Sequence, residues 1–490
     1  MFNVMQDFQG IGSEALLIGW ALVLLLVGVL KKGSHYIWMT LSMVTILALG
    51  ISLVVMPHSG GAALEGVSLF FGSLEISSLT QSMKGFYLLM ALFVIGSIGY
   101  GFSSLEDKRT EYLSLFLFSV VGGSLLFSAN DFMVVFIALE ISSFSIYIMI
   151  ALWAEGKHAA EAALKYFMTG GLASAFLLLG IAFVYGQCGS MQFGVIAQTF
   201  QALIGEGMGL ATLSYVGIVM IIGALCCKLA VAPFHMWSPD VYVGSSPPVL
   251  VLLGTLPKIA IVSLLMLLLR GPFAAIMPHL QLLISILAIV SMLWGGVGAL
   301  MQTNFRRLVA YSTVLHMGFV LLGMLTLGTL GLESFHYTIV YTLSFIGLMG
   351  FVGHLEHQGE QLETLEGFNG LAKRFPFHAL CISMLFFSMA GIPPLAGFFA
   401  KFIVLKVALT AGNYSVVFAA IISSILGAAY ALRIVRNIYF HSAPEILPTR
   451  SRIQGDVLFV LSNSVTYLAA SLILFFVFYF IFFGGVISLG

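Results

Sequence analysis

The sequence predicts an all-α polytopic membrane protein, and its composition, its long apolar runs and the placement of its charges all support this fold class. Of the 490 residues, 60% are apolar and only 8% are Asp, Glu, Lys or Arg, and the mean hydropathy is +1.08. A soluble domain is about one quarter charged residues, so this chain cannot cover its surface with water-compatible side chains. Lipid must therefore be the solvent for most of it.

The same composition excludes several classes of protein. A secreted domain, a cytosolic enzyme and a disordered chain all need more polar surface than a charged fraction of 8% provides. A nucleic-acid binder is excluded because the 20 basic residues are balanced by 20 acidic residues and form no basic patch. The cysteines have no Cys-x-x-Cys spacing, so they predict neither a disulfide framework nor an iron–sulfur or zinc site. They are Cys188, Cys226, Cys227 and Cys381.

The apolar runs between polar breaks predict fourteen transmembrane helices, since a helix needs roughly 20 apolar residues to cross the hydrocarbon core. Only the tripeptide 129–131 separates the fourth span from the fifth, and the polar stretch 354–376 is the longest loop. The predicted spans are 13–31, 35–56, 85–102, 112–128, 132–153, 162–186, 211–233, 248–269, 278–300, 308–329, 335–353, 377–408, 411–433 and 457–487.

The basic residues predict the orientation of these spans, because loops on the cytoplasmic side carry an excess of Lys and Arg. With the N-terminus outside, thirteen of the 20 basic residues fall in inner loops and only Lys84 and Arg270 fall on the outer side. One missed helix would reverse the bias for all later loops, and the bias is consistent, so both termini are predicted outside. The inner bases are Lys31, Lys32, Lys108, Arg109, Lys157, Arg306, Arg307, Lys373, Arg374, Arg433, Arg436, Arg450 and Arg452.

The remaining charges lie within predicted spans, where an ionised group at the bilayer centre costs about 2.5–3.5 kcal/mol on insertion scales. Retaining them therefore needs a reason. Glu140 is the one acid deep in a span. The five bases are Lys165, Lys228, Lys258, Lys401 and Lys406.

Three explanations of these charges stay open at this stage. Lys165 and Lys406 lie near span ends, so their side chains could reach the headgroups. A structural ion pair between Glu140 and one lysine is the second explanation, although it leaves at least two lysines without a carboxylate. The third is a proton relay, because burial disfavours the charged form of a lysine and a nearby carboxylate favours it.

Two spans contain a proline and glycine break beside a lysine. Lys228 lies five residues before Pro233, and Lys401 follows the segment 391–397, which holds two glycines and two prolines. In lipid such a break persists only where it is buried in protein or lines a cavity. Paired breaks of this kind indicate an inverted-repeat transporter with its site near the midplane.

The paired breaks predict two five-helix repeats of opposite orientation, formed by spans four to eight and spans nine to thirteen. The predicted organisation is 1–110 for the first three helices, 111–270 and 271–440 for the two repeats, and 441–490 for the last helix. His235 and His316 lie along the band of lysines. A hydrogen-bonded core residue and a relay are equal alternatives for both.

Five segments resemble the antiporter-like subunits of respiratory complex I, and subunit N of bacterial NADH:quinone oxidoreductase in particular. The likeness covers roughly residues 85–440 in the same order and spacing. The segments read FIALEISSFSIYIMIAL, AALKYFMTGGLASAFLLLGIAFVYG, KLAVAPFHMWSPDVYVGSSPPV, QTNFRRLVAYSTVLHMGFVLLG and GIPPLAGFFAKF.

The resemblance implies roles for the buried charges in proton translocation. Glu140 and Lys228 would form the proton-coupling pair, and Lys258 would relay protons from Lys228. Lys401 in the second broken helix would be the terminal carrier. Pro257, immediately before Lys258, departs from the family pattern and puts the orientation of that lysine in doubt.

Three further residues receive secondary roles. The resemblance implies that His316 lies on the route between the two repeats and that Lys165 modulates the first half-channel. His235 follows the first break and is a secondary candidate for the same route.

The resemblance also implies the setting in which the chain works. The chain would hold no redox centre, and NAD, FMN, iron–sulfur clusters and quinone would be bound by partner subunits. Its partners would be the other membrane-arm subunits, neighbouring antiporter-like subunits among them, and lipid, with no nucleic acid. We expect the bacterial inner (plasma) membrane, and rank the membrane of an energy-transducing organelle second.

Three functions are compatible with these features. The first is a proton-translocating subunit of a redox-driven translocase, NADH:quinone oxidoreductase. The second is a subunit of an Mrp-type multisubunit Na+/H+ antiporter, which shares the core motifs and needs no redox chemistry. A stand-alone solute transporter is third, because it would need a carboxylate-rich or anion-binding pocket and the spans hold one acid against several lysines.

Overall fold

The computed structural model describes most of the chain between Gly10 and Ser442. Within this part, ten helices are long and apolar enough to cross a membrane, and shorter apolar helices cover Gly12–Gly28, Phe193–Gly205 and Pro376–Ala390. The chain is therefore a mostly helical, multi-pass membrane protein. The described residues are 10–30, 44–45, 47–48, 50–52, 67–98, 108–152, 157–207, 209–325 and 331–442.

The observed helices follow the predicted spans closely. The predicted span 35–56 is only partly described and the predicted span 457–487 lies outside the described residues, so the count of fourteen stays a prediction. The helices are α1 (Gly12–Leu30), α2 (Ser78–Ser97), α3 (Arg109–Ser128), α4 (Phe132–Leu152), α5 (Lys157–Cys188), α6 (Phe193–Gly205), α7 (Thr212–Leu229), α8 (Trp237–Gly244), α9 (Pro247–Leu253), α10 (Leu256–Arg270), α11 (Met277–Met301), α12 (Phe305–Met324), α13 (Leu332–His357), α14 (Leu371–Arg374), α15 (Pro376–Ala390), α16 (Ala396–Thr410) and α17 (Tyr414–Phe440).

Two segments that the sequence predicts as loops contain regular structure. The stretch 57–81 includes an antiparallel hairpin of β1 (Val67–Leu69) and β2 (Leu74–Ile76), and the stretch 187–210 includes α6. Leu69, Leu74 and Ile76 are buried together as a small apolar cluster. The prediction of an all-α chain is therefore wrong for this hairpin, which is too short to give a strong alternating pattern.

The chain forms two compact units. The first consists of Met1–Leu92, Ser104–Leu229 and Leu256–Leu282. The second consists of Phe93–Ser103, Ala230–Thr255 and Leu283–Gly490.

In the first unit, small residues allow helix backbones to approach closely. A Cβ atom added at Gly180 on α5 would lie 2.5 Å from the carbonyl oxygen of Gly217 on α7, and one added at Gly122 on α3 would lie 2.6 Å from that of Ala138 on α4. These glycines bring α5 against α7 and α3 against α4. Two of these helices, α4 and α7, carry Glu140 and Lys228.

In the second unit, α12 is almost entirely buried and crosses α11 through glycines on both helices. A Cβ atom added at Gly295 on α11 would lie 2.4 Å from the backbone nitrogen of Leu315, and one added at Gly318 on α12 would lie 2.8 Å from that of Met292. These glycines therefore allow the backbones of α11 and α12 to approach closely.

Both predicted helix breaks are present. α7 ends at Leu229 and helical structure resumes at Trp237, while α15 ends at Ala390 and α16 begins at Ala396. The predicted single span 377–408 is therefore two helices. The residue that follows each first half is in the left-handed region, with φ of 62° at Ala230 and 86° at Gly391.

The polar stretch 354–376 is also shorter than predicted. α13 continues to His357, and the side chain of His354 is fully buried within it. His354 therefore lies in the packed interior and not in the predicted polar loop. The apolar residues of the preceding turns extend the helix past the first polar residues.

We predict that Gly295→Ala destabilises the chain, whereas Gly171→Ala does not. A Cβ atom at Gly295 meets backbone atoms of Leu315 and Tyr311 within 2.8 Å, while Gly171 has no atom within 4 Å of this position. Overpacking of this kind costs about 1–3 kcal/mol. Thermal unfolding of the purified protein in detergent should show a lower midpoint for Gly295→Ala alone, and equal midpoints would contradict the close crossing.

Candidate functional site

The centre of the first unit is an ion pair between Glu140 on α4 and Lys228 in the last turn of α7. Lys228 Nζ lies 3.6 Å from Glu140 Oε1, and the two side chains are 8% and 18% exposed. Lys228 Nζ also donates a hydrogen bond of 3.0 Å to Ser143 Oγ, and the Ser174 hydroxyl donates to the Glu140 carboxylate. Ser143 therefore stabilises the ionised form of Lys228, and Ser174 stabilises the ionised form of Glu140.

Lys258 completes the end of the broken helix. Its Nζ donates to the carbonyl oxygen of Lys228 at 3.2 Å and to that of Leu229 at 2.7 Å, the last two residues of α7. A helix C-terminus leaves carbonyl groups without amide partners and carries partial negative charge. The buried ammonium group of Lys258 donates hydrogen bonds to these carbonyl groups, and its positive charge offsets the partial negative charge of the helix end.

Pro257 does not direct Lys258 away from the ion pair. A turn at Gly254 and Thr255 separates α9 from α10, so Pro257 lies in the first turn of α10. The first turn does not use its amide hydrogens within the helix, and proline is tolerated there. Pro257, although it departs from the family pattern, is therefore compatible with the backbone at the start of α10.

Lys401 on α16 has the corresponding position at the second break. Its Nζ donates at 2.9 Å to the carbonyl oxygen of Ala390, the last residue of α15, and lies 4.9 Å from the centre of the Phe319 ring. The ring face attracts the cation. A Cβ atom at Gly391 would lie 2.8 Å from Lys401 Cδ, so the glycine leaves room for the lysine stem.

His316 on α12 is buried in the second unit. Its Nδ1 lies 2.7 Å from the Tyr337 hydroxyl, and its Nε2 has no hydrogen-bond partner among the described residues. A cavity of about 10 Å³ adjoins His316, Ser388 and Ala400. This volume is close to the minimum that holds one water molecule.

The two remaining predicted residues have different surroundings. His235 is buried and makes edge-to-face contacts with Trp294 and Tyr311, at ring-centre distances of 6.2 and 5.8 Å. Lys165 is 42% exposed on α5 and forms an ion pair of 2.7 Å with Glu161, one turn away. An exposed pair of this type contributes little to stability.

The sequence analysis missed a second buried ion pair in the first unit. Lys84 was expected on the outer side of the membrane, but α2 begins at Ser78 and the Lys84 side chain is buried against the carboxylate of Glu14 on α1. The helix start has a sequence signal, because Ser77 and Thr80 form reciprocal hydrogen bonds between side chain and backbone amide, as in a capping box. Because Lys84 lies within a helix, Arg270 is the one basic residue that the predicted topology still places in an outer loop.

The second unit contains ion pairs of its own, formed by two neighbouring arginines. Arg306 contacts Glu356 at 2.9 Å and donates at 3.0 Å to the carbonyl oxygen of Ser245, and Arg307 contacts Asp240 at 2.7 Å. No group of three or more His, Cys, Asp or Glu side chains that could hold a metal ion occurs among the described residues.

These features define a class of protein: a polytopic membrane protein that holds ionisable side chains at the ends of broken helices. A family model described as NADH:quinone oxidoreductase/Mrp antiporter, TM, matches residues 129–427. Subunit N of the NADH-quinone oxidoreductase of Rhodospirillum rubrum is 36% identical over 444 residues, which cover 89% of each chain. Subunit N of Parvibaculum lavamentivorans is 34% identical over 465 residues, or 94% of this chain and 93% of the relative.

Solved structures agree with these relatives. A chain of respiratory complex I from Thermus thermophilus with bound aureothin matches with a TM-score of 0.72 at 27% identity, covering 94% of this chain and 96% of that one. A chain of the Mrp complex from Dietzia sp. DQ12-45-1b matches with a TM-score of 0.75 at 20% identity over 94% of both chains, which shows a shared fold. The chain belongs to the NADH:quinone oxidoreductase/Mrp antiporter family of membrane subunits and, within it, to the NADH-quinone oxidoreductase subunit N family. The predicted resemblance is confirmed.

We predict that Lys258→Met lowers the thermal stability of the chain and that Lys258→Arg retains most of it. Methionine fills similar space but donates no hydrogen bond to the carbonyl groups of Lys228 and Leu229, and a hydrogen bond to a charged group contributes about 1.5–3 kcal/mol. Thermal unfolding of the purified protein measures the effect. Lys373→Met is the control, because Lys373 is exposed, and equal midpoints for Lys258→Met and the control would contradict the capping role.

Proposed function

We propose that this chain translocates protons as a membrane subunit of an NADH:quinone oxidoreductase, driven by quinone reduction in other subunits. Its membership of the subunit N family supports the first part of this proposal, namely that it works within an NADH:quinone oxidoreductase. The buried pair of Glu140 and Lys228, with Lys258 on the carbonyl groups that end α7, carries the proposal for how it works. If the ion pair between Glu140 and Lys228 were only structural, a second lysine, Lys258, would not be needed at the same end of α7.

The proposed first step is the separation of Glu140 from Lys228. While the carboxylate is near, the lysine keeps its proton in a site of low polarity. When the two groups move apart, the charged form of Lys228 loses its stabilising partner and the proton leaves. Lys258 accepts it as a neutral amine, after its own proton has passed onward toward the second unit. Its Nζ lies at the same end of α7 as Lys228, 3.2 Å from the Lys228 carbonyl oxygen.

In the second unit, Lys401 is the proposed terminal carrier. Its ammonium group is stabilised by the carbonyl oxygen of Ala390 and by the Phe319 ring rather than by a carboxylate. His316 is the proposed intermediate on this side, since its Nε2 is available and the adjoining cavity has room for a water molecule. His235 and Lys165 are proposed to tune the route rather than carry protons.

The proposed topology has fourteen spans, with 111–270 and 271–440 as inverted repeats between the helices of 1–110 and 441–490. Its support is the equivalence of the two breaks. Each has a left-handed residue after its first half and a lysine that donates to the terminal carbonyl groups. We further propose that both termini face the outside of the bacterial inner membrane, and that NAD, FMN, iron–sulfur clusters and quinone are held by partner subunits.

A subunit of an Mrp-type Na+/H+ antiporter is the second candidate, because the fold is shared with the Mrp complex. Among the solved structures, the identity is 27% to the complex I chain and 20% to the Mrp chain, which favours the first candidate, and the two relatives of 34–36% identity are both subunit N. Mild detergent extraction tests the choice. The chain should co-purify with an NADH-oxidising assembly that contains iron–sulfur clusters, and its isolation alone or with antiporter subunits would contradict the proposal.

We predict that Lys228→Ala abolishes proton pumping by the assembled complex. The substitution removes the group that holds the proton next to Glu140, and general acid–base groups contribute about 10²–10⁴-fold to rate. Proton uptake by membrane vesicles during NADH oxidation measures pumping, and native gel electrophoresis measures assembly. Lys406→Ala is the matched control, because Lys406 is a lysine on α16 with an exposed side chain.

We expect Glu140→Gln to give the same loss of pumping, because the amide keeps the size of the side chain but removes its charge. Normal pumping by an assembled Lys228→Ala complex would remove Lys228 from the mechanism. Unchanged coupled turnover in Glu140→Gln would instead favour a static ion pair.

A further inference from the structure

The ion pair between Glu14 and Lys84 has the composition of the Glu140–Lys228 pair. The Lys84 ammonium group contacts the Glu14 carboxylate, with side-chain exposures of 1% and 3%. Two hydroxyl groups also donate to this carboxylate: Ser13 Oγ at 2.7 Å and Ser124 Oγ at 3.0 Å. The site therefore holds one acid, one base and two groups that can pass a proton.

Polar side chains continue from this pair toward one end of the first unit. Gln81 lies three residues before Lys84 on α2, and Ser128 lies four residues after Ser124 on α3, so each is one helical turn from the pair. Both are buried, and their side-chain polar atoms have no hydrogen-bond partner within the described ranges. Buried polar groups without protein partners are commonly satisfied by water.

A pocket of about 290 Å³ lies at the same end of α2 and α3. Thr80, Asn130, Glu75 and Arg270 are among the residues that line it, and both charged side chains are at least partly exposed. In the proposed topology this end of the first unit faces outside. The pocket is large enough for several water molecules.

Hydroxyl groups also lead from the pair toward Glu140 and Lys228. Ser119, five residues before Ser124 on α3, lies 3.3 Å from Ser142 on α4 through their hydroxyl oxygens. The next residue, Ser143, accepts the hydrogen bond from Lys228. Five residues of helix rise about 7.5 Å and rotate the side chain by about 140°. Ser124 and Ser119 therefore face different neighbours of α3, and water is needed to connect them.

We propose that Glu14 and Lys84 form a second proton-carrying pair, which exchanges protons between the outer pocket and the Glu140–Lys228 pair. In the outward step, the N–H bond of the Lys84 ammonium breaks and its proton passes to water in the pocket, while a proton that arrives through the Ser124 hydroxyl forms an O–H bond on Glu14, which leaves two neutral groups. The O–H bond of Glu14 then breaks and an N–H bond forms on the Lys84 amine, which restores the ion pair. The charge of the site is the same before and after the cycle.

This inference rests on the proposed function and is tested in the assembled complex with Lys84→Arg. Arginine keeps the positive charge and the ion pair with Glu14 but does not release its proton in proteins, so the proton-pumping rate should fall at least about twofold while assembly is retained. Lys373→Arg, an exposed lysine, is the matched control. Normal pumping by an assembled Lys84→Arg complex overturns the proposal.

A double variant covers the case in which Lys84→Arg does not assemble. Glu14→Gln combined with Lys84→Met removes both charges and leaves no unpaired ion, so an assembled complex with reduced pumping supports the proposal and one with normal pumping overturns it. Failure of both variants to assemble identifies the pair as structural and also overturns it. In each case the wild-type and Lys228→Ala complexes report on the proposed function independently.

Discussion

Every arrangement at the site depends on one constraint: an ionised side chain in the hydrocarbon region must be stabilised by the protein, because water and headgroups are out of reach. Among the described residues, two kinds of partner recur for the buried lysines. One is a carboxylate, and the other is the set of carbonyl groups that a broken helix leaves without amide donors. The resulting partnerships are Lys84 with Glu14, Lys228 with Glu140, Lys258 with the carbonyl oxygens of Lys228 and Leu229, and Lys401 with that of Ala390.

The helix breaks and the lysines therefore stabilise each other. A break in lipid would expose unsatisfied carbonyl groups, and a buried lysine would lack a counter-charge. Where a lysine lies at a helix break, its ammonium group donates to the free carbonyl oxygens. This contact lowers the free-energy cost of the unsatisfied carbonyl groups and that of the buried charge. Because a neutral amine is a weaker partner for these carbonyl groups than an ammonium ion, loss of the proton from Lys258 or Lys401 would also weaken the contact that holds the break. Protonation and backbone geometry are coupled at the same atoms.

Much of this organisation could be predicted from the sequence. Most spans and both breaks follow from hydropathy and proline positions, and the structure contains them. The scarcity of charge predicts that Glu140 pairs with a lysine, and the resemblance to subunit N identifies that lysine as Lys228, which the structure places beside Glu140. The Glu14–Lys84 pair was missed because Lys84 lies only six residues after the helix start, where hydropathy does not distinguish a loop from the first turns. The hairpin of β1 and β2 was missed because strands of three residues carry almost no periodic signal. Contacts to backbone carbonyl groups, such as that of Lys258, have no sequence signature.

Infrared difference spectroscopy of the assembled complex, triggered by quinone reduction, tests most directly whether Glu140 and Lys228 separate during turnover. Separation of the pair changes the charge and hydrogen bonding around the Glu140 carboxylate. A carboxyl band should therefore shift on reduction in the wild-type complex, and this shift should be absent from Glu140→Gln. An identical carboxyl signal in the wild-type and Glu140→Gln complexes would show that Glu140 keeps one state throughout turnover, and would contradict the separation of this pair.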